Sequence, residues 1–410
     1  MSKLLHHPNI RCQAMQTLVA IFEKKRKAIT ALHTYGEHLE ARDRALLHDM
    51  VFGVLRRFFS LEADISRFLK QKPDIEARMC LFIGAYQLRH MRIPSHAAVS
   101  ECVDAIKVFQ PKASGMVNAI LRKLAQTDPP KKHKPHQRAE LPKWLYAHWR
   151  EAWGQACVQQ FSEALQQAPA LSLACFDDRQ TWMDEAKAQS LDAQQGELSP
   201  YAVLLPSGTS VSTLPHFEEG GFTVMDQAAQ AAVMALRAPK QSIILDICAA
   251  PGGKTSLLAQ RFPDANIIAI ERYAQRMPRL QENLQRLSCP QVQIMQSDAL
   301  CLPFADNSID AIMLDAPCSA SGIIRRHPDA KFLHSQEDVR ALSQQQQQML
   351  HESLRVLKPD GCLLYAVCSI HPEENEDVLQ GLEVLSSQRL YPSLEHDGFF
   401  YACIQKTRRD

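Results

Sequence analysis

Five apolar, strand-like runs fall at 243–248, 267–271, 292–296, 309–315 and 362–367, and helical stretches separate most of them. No other feature of the 410 residues narrows the possible folds as much. Buried strands alternating with helices build an open, mostly parallel twisted sheet with helices on both faces, a Rossmann-like α/β fold. The first run opens "ILDICAAPGGKTSLLAQ" (244–260), which reads as strand, glycine turn and helix. In such sheets a ligand lies across the carboxyl ends of the strands, where the strand order reverses.

Two phosphate-binding readings of that turn fail. Gly253-Lys254-Thr255 matches the tail of a P-loop, but Cys248 holds the leading glycine position, so the loop is not built to wrap a triphosphate. The G-x-G-x-x-G fingerprint of dinucleotide sites is absent. A nucleoside cofactor remains, and the small residues Ala249, Ala250, Gly252 and Gly253 let it approach the backbone. Glu271 ends the second strand, where an acid can accept both ribose hydroxyls. Asp298 follows the third, where an acid can bond an adenine amino group. Taken singly, each acid is more often a turn or cap residue; the case rests on their coincidence at strand ends. An acidic pocket without phosphate ligands suits S-adenosylmethionine, whose sulfonium and amino groups are positive.

Twelve cysteines are scattered from Cys12 to Cys403, and no two form a C-x-x-C pair, so no structural metal site is expected. Most should be small buried apolar residues. Two differ in context. "LDAPCS" ends the fourth strand with Cys318, and "KPDGCLLYAVCS" ends the fifth with Cys368. A thiol beside a methyl donor has a specific use. Cytosine C5 is a poor nucleophile until a thiolate adds at C6 and makes the ring an enamine. An acid at N3 assists by taking up the charge that develops, and Asp315, three residues before Cys318, is placed for that.

The rest of the chain divides by pattern. Residues 1–126 read as all-helical, with Ile10, Ala14, Leu18 and Ile21 at helical spacing and "SGMVNAILRKLA" (114–125) as a closing amphipathic helix. "TDPPKKHKPHQRAE" (127–140) reads as an extended, mobile linker. Residues 141–240 read as a mixed α/β subdomain, with "LPKWLYAHWREAWG" helical and "ALSLACF" and "YAVLLP" as strands; 241–410 form the parallel-sheet domain. The five-glutamine run 344–348 reads as the solvent face of a helix. Residues 1–140 carry 24 Lys+Arg against 13 Asp+Glu, net +11 within a chain of net +1, which points to a polyanionic partner as readily as to a solvated surface. The segment "MSKLLHHPNIRCQ" has no apolar signal core and no run of about 18 apolar residues occurs, so a cytoplasmic protein with no membrane partner is expected.

These motifs carry a family resemblance. "DICAAPGGKT", "DAPCSASGIIRRHPDAKF" and "YAVCSIHPEENE", in this order, resemble the RNA cytosine-C5 methyltransferases of the NOL1/NOP2/Sun type. "RDRALLHDMVFGVLRR", "GAYQLRHMRIPSHAAVSECVDAIK" and "VNAILRKL" resemble the NusB-type helical RNA-binding fold. Together they are similar to the branch that methylates 16S ribosomal RNA. The resemblance implies an all-α NusB-like domain followed by a class I methyltransferase domain, S-adenosylmethionine as cofactor, no metal, and a monomer. It implies Cys368 as nucleophile and Cys318 in product release. It assigns cofactor contacts to Cys248, Ala249, Ala250, Pro251, Gly252, Gly253, Lys254, Glu271, Asp298 and Asp315. Glu271 stands where the family usually has aspartate. "ALSLACFDD" (170–178) stands where it often has Leu-Arg-Val-Asn, so the arginine and asparagine contacts to RNA are missing there. The resemblance decides against a nucleophile on the Pro-Cys turn, which is where DNA cytosine methyltransferases carry theirs. An amino-group methyltransferase would end its fourth strand in Asn/Asp-Pro-Pro-Tyr, and a non-catalytic RNA-binding factor would be expected to lose a cysteine or the glycine loop.

Overall fold

The computed structural model describes residues 9–406, so residues 1–8 of the N-terminal segment lie outside it. The chain forms two units. The first comprises residues up to 166 together with 327–335; the second comprises 167–326 and 336 onward.

The first unit is helical: α1 (Ile10–Lys24), α2 (Ala28–Gly36), α3 (Ala41–Arg56), α4 (Phe58–Ser66), α5 (Ile75–His90), α6 (Ser95–Phe109), α7 (Ser114–Gln126) and α8 (Lys143–Leu165). Helix α1 starts where the Asn9 side chain accepts the Arg11 amide, and it stops where Lys25 turns left-handed at φ 51°. Its inward stripe of Cys12, Met15, Leu18 and Ile21 packs with Leu47, Val51 and Val54 of α3 and Phe82 and Ile83 of α5. Each such side chain contributes about 1.5–3 kcal/mol by burial.

The domain boundary differs from the one expected. The stretch 127–140 is docked rather than free: Arg67 donates to the Asp128 carbonyl at 2.8 Å, and the buried Glu140 carboxylate accepts the Phe59 amide at 2.8 Å. Helix α8 also belongs to the helical unit and not to a separate 141–240 subdomain. So does 327–335, in which Phe332 packs its ring 5.0 Å from both Phe22 and Phe58, and Lys331 donates to the Glu140 carbonyl at 2.7 Å. The prolines and charges of 127–140 predict a linker because nothing local reveals the partners 60 or more residues away in sequence.

Among the described residues, the second unit holds two sheets. The smaller is antiparallel, in the order β2-β3-β1-β4, from β1 (Leu171–Cys175), β2 (Gln194–Gln195), β3 (Ala202–Leu205) and β4 (Phe222–Val224), with α9 (Arg179–Ala188) beside it. Then come α10 (Gln227–Ala235), β5 (Ile243–Ile247), α11 (Gly253–Arg261), β6 (Asn266–Glu271), α12 (Met277–Arg286), β7 (Val292–Gln296), β8 (Ile309–Asp315), α13 (Gln336–Val356), β9 (Leu357–Val367), β10 (Val384–Leu390) and β11 (Phe399–Gln405). The seven-stranded sheet runs β10-β11-β9-β8-β5-β6-β7; β7, β6, β5, β8 and β9 are parallel, and β11 and β10 are antiparallel additions.

Alternate residues sort to opposite faces of this sheet. Ile244, Ala269, Met313 and Leu364 pack with Val233, Leu257 and Leu280 on one side. Leu245, Ile270, Ile312 and Leu363 pack with Met349, Leu350 and Leu354 of α13 on the other. The five expected strands all form. The connection from β5 goes to β6 on one side, and β8 inserts on the other, so the strand order reverses beside β5.

Candidate active site

The loops leaving β5, β8 and β9 meet at this reversal. After β5 the chain turns through Cys248 at φ 68° and Gly252 at φ 102° before entering α11. A side chain at Gly252 would be strained by that φ, and its Cβ would stand 2.8 Å from Leu280 Cδ1. The turn is fixed from several directions. The Ala249 amide donates to the Ile270 carbonyl at 3.0 Å, Arg276 donates to the Ala250 carbonyl at 2.7 Å, and Asn283 donates to the Pro251 carbonyl at 2.8 Å. Ala249 and Ala250 are buried, Pro251 is exposed and Gly253 is partly exposed. The Thr255 hydroxyl, which a P-loop would offer to a metal, donates to Asp246 Oδ2 at 2.5 Å. The Thr255 hydroxyl is thus engaged inside the protein, where a P-loop would leave it for a metal ion.

Two groups of polar residues flank this loop. On the β6 and β7 side, buried Glu271 accepts the Tyr273 amide at 3.0 Å, and its Oε2 lies 3.0 Å from Arg276 without accepting a hydrogen bond. Asp298 accepts the Leu300 amide at 3.0 Å and faces Arg272 at 3.4 Å. On the β8 and β9 side, Lys254 Nζ donates to Asp315 Oδ2 at 2.7 Å. Burial opposes the charge on Lys254, but Asp315 outweighs it and holds the ammonium pKa above its ordinary value.

Cys318 Sγ and Cys368 Sγ lie 3.4 Å apart, both half-buried, at the ends of neighbouring strands. The Cys318 thiol is pushed well above the ordinary range, first by its hydrogen bond with Cys368 and then by burial. Cys248, between the two groups, is raised to about 12 by burial and then by Asp315, so it is a protonated thiol at neutral pH. Asp246, fully buried beneath the loop, is raised to about 7 by burial.

The residues expected from the motifs are thus gathered at one end of the sheet, but in two clusters. Asp315, Cys318, Cys368 and Lys254 form one; Glu271 and Asp298 form the other, each beside an arginine. Sequence reasoning did not single out Arg272 or Arg276, and it considered Thr255 only as part of a P-loop tail. It also missed Gln346, which the glutamine run placed in solvent. Gln346 is fully buried, donates to the Pro317 carbonyl at 2.9 Å and lies 3.1 Å from the Tyr365 hydroxyl. The remaining glutamines of the run are exposed or partly exposed, as α13 turns four of every five away from the sheet.

The family described as 16S rRNA methyltransferase RsmB/F matches residues 233–389, and the NusB family matches residues 8–126. Ribosomal RNA small subunit methyltransferase B of Erwinia tasmaniensis is 37% identical, over 90% of this chain and 88% of its own length. The crystal structure of PH0851 shares the fold, with a TM-score of 0.82 at 21% identity over 98% of this chain and 99% of its own. NSun6 from Pyrococcus horikoshii, crystallised with SFG, has a TM-score of 0.59 at 20% identity over 65% of this chain and 98% of its own. A relative that similar along nearly its whole length places the chain in the 16S rRNA methyltransferase RsmB/F family.

Proposed function

We propose that this protein transfers a methyl group from S-adenosylmethionine to C5 of a cytosine in 16S ribosomal RNA, through a covalent bond between Cys368 Sγ and cytosine C6. The observation that carries this reading is the pair of thiols 3.4 Å apart beside the Lys254–Asp315 ion pair, at the switch point of a methyltransferase fold. When bound, S-adenosylmethionine supplies an electrophilic methyl group. The residues present fit it: the buried Glu271 Oε2 at the end of β6 accepts no hydrogen bond, the loop after β5 carries the small residues Ala249, Ala250, Gly252 and Gly253, and three carboxylates, each beside a cationic side chain, surround that loop.

The chain's own residues supply the rest. The target base leaves its stack to enter the cleft. Cys368 adds to C6 as a thiolate, and the electron pair displaced from the C5–C6 bond moves onto the ring. Asp315 donates a proton at N3 as charge develops on the ring, and Lys254, already bonded to Asp315 Oδ2, holds that acid in place. C5, now an enamine carbon, takes the methyl group. A base, with water as the final acceptor, takes the C5 proton; Cys368 leaves as a thiolate, the proton on N3 returns to Asp315, and the aromatic ring is restored, with Cys318 beside the departing sulfur assisting release. The net +11 of residues 1–140 holds the RNA backbone through its phosphates.

Bisulfite sequencing of 16S ribosomal RNA from cells with and without the gene tests this directly. One cytosine resists conversion only when the protein is present. Identical maps from both cells contradict the reading.

A further inference from the structure

The two thiols are carried on separate loops, after β8 and after β9, and a 3.4 Å separation needs something to hold those loops in register. Backbone pairing provides part of this. The Ala316 amide donates to the Ala366 carbonyl, and the Gly322 amide donates to the Cys368 carbonyl, both at 3.0 Å. Between these two points both loops turn away from the ladder, and a single buried carboxylate fills the space.

That carboxylate is Glu374, with no exposed surface, in the turn of 3-10 helix Pro372–Glu374. Its Oε1 accepts the Ser319 amide at 2.8 Å and Gln346 Nε2 at 3.2 Å. Its Oε2 accepts the Ser319 hydroxyl and the Ser369 hydroxyl, each at 2.5 Å. Ser319 and Ser369 are the residues directly after Cys318 and Cys368. Ser321 extends the link, 3.0 Å from Ser369 Oγ and accepting the Ile370 amide at 3.0 Å. Behind the carboxylate, Gln346 also holds the Pro317 carbonyl, and the Tyr365 hydroxyl donates to the Glu374 carbonyl at 2.7 Å.

A fully buried carboxylate in a mechanism that never calls on it is costly unless it is satisfied by donors, and here four donors converge on it. We infer that Glu374 is a positioning residue: its carboxyl group clamps the Cys318 and Cys368 loops together through Ser319 and Ser369, and so sets the spacing of the two sulfurs for attack and release. This rests on the covalent thiol reading above.

The clamp depends on reach and hydrogen bonding rather than on charge. In Glu374→Gln the carbonyl oxygen can still accept the Ser319 amide and Gln346, and the amide nitrogen can donate to the two hydroxyls, which rotate to accept. In Glu374→Asp the charge stays but the side chain is one methylene shorter and cannot serve both loops. Misplacement of reacting groups by about 1 Å can cost roughly a hundredfold in rate.

The test uses the full chain at a temperature where each variant is folded. Phenylarsine oxide, which bridges close thiols, reports the sulfur spacing by peptide mapping, independently of RNA chemistry. Rates of adduct formation with 16S RNA and of product release report the reaction. Glu374→Gln should keep bridging and both rates within about threefold of the parent, while Glu374→Asp should lose bridging and slow both rates by roughly a hundredfold. The KM for S-adenosylmethionine should stay unchanged in both. If Glu374→Asp lowers only the melting temperature and leaves bridging and rates intact, Glu374 is merely structural and the inference fails. It fails equally if Glu374→Asp is tolerated and Glu374→Gln is not, because charge would then be the property that matters. Should the parent form no RNA adduct while its thiols bridge in a Glu374-dependent way, the covalent reading falls and the clamp stands.

Discussion

Lys254 Nζ donates to Asp315 Oδ2 across 2.7 Å, joining the glycine loop after β5 to the end of β8. In the mechanism proposed above, the pair holds in place the acid assigned to N3. Asp315→Asn removes the carboxyl proton relay, and Lys254→Met leaves Asp315 without its cation. Either change should lower the single-turnover rate by about a hundredfold or more. Rapid-quench assays with labelled methyl donor would measure this. A rate within twofold of the parent for both variants would remove the pair from the chemistry.

Asp246 sits fully buried under the same loop, raised by burial from 3.8 to about 7. Its folded-state value lies above its unfolded one, so the folded protein binds the extra proton between these values and stability falls as pH rises through that window. Asp246→Asn never ionises. The stability of this variant relative to the parent should therefore grow between pH 4 and pH 7, by on the order of 4 kcal/mol, and level off above. Denaturant melts across that range give the difference; a flat one contradicts the burial argument.

Gly322 and Gly398 pass each other with their backbones touching. A Cβ on Gly322 would stand 2.2 Å from the Gly398 carbonyl oxygen, and the Gly398 amide donates to the Gly322 carbonyl at 2.9 Å. Gly322→Ala should destabilise the protein by about 1–3 kcal/mol and lower methyl transfer, since Gly322 also bonds the Cys368 carbonyl. Equilibrium unfolding with parallel activity assays would detect both effects; an unchanged midpoint would show that the backbones separate without cost.

Lys131, Lys132 and Lys134 are exposed on the segment between α7 and α8. If they neutralise RNA phosphates, replacing all three by glutamine should reduce the slope of log Kd against log salt by about 0.7 for each phosphate left without its lysine. Filter binding of 16S RNA at several salt concentrations measures the slope, and an identical slope would assign these lysines to solvent.

The parallel sheet was legible because β5, β6, β8 and β9 are apolar on both faces, and turn residues punctuate them. Strands β10 and β11 escaped notice for different reasons. "VLSSQRL" is an exposed edge with mostly polar side chains, whereas "FFYACIQ" is well buried but follows no helix that would mark a further β-α unit. Cys318, Cys368 and Asp315 could be read from sequence because strand ends and turns are local signals. Glu374 and Gln346 could not: "HPEENE" has three glutamates and 344–348 has five glutamines, and only the tertiary fold selects the one that points inward. "IRRHPDAK" shows the same limit. Arg325 and Arg326 bond Asp397 and Asp226 in the second unit, while Lys331 is buried in the first.

The central claim is that Cys368 attacks and Cys318 releases, and the covalent adduct tests it most directly. The parent, Cys368→Ala and Cys318→Ala are each incubated with 16S RNA and S-adenosylmethionine, then separated by denaturing electrophoresis. Cys318→Ala should accumulate an RNA–protein band that survives denaturation, and Cys368→Ala should give neither band nor methylated RNA. A band that accumulates in Cys368→Ala and is missing in Cys318→Ala would reverse the roles of the two thiols, and full methylation by both variants would contradict the covalent mechanism altogether.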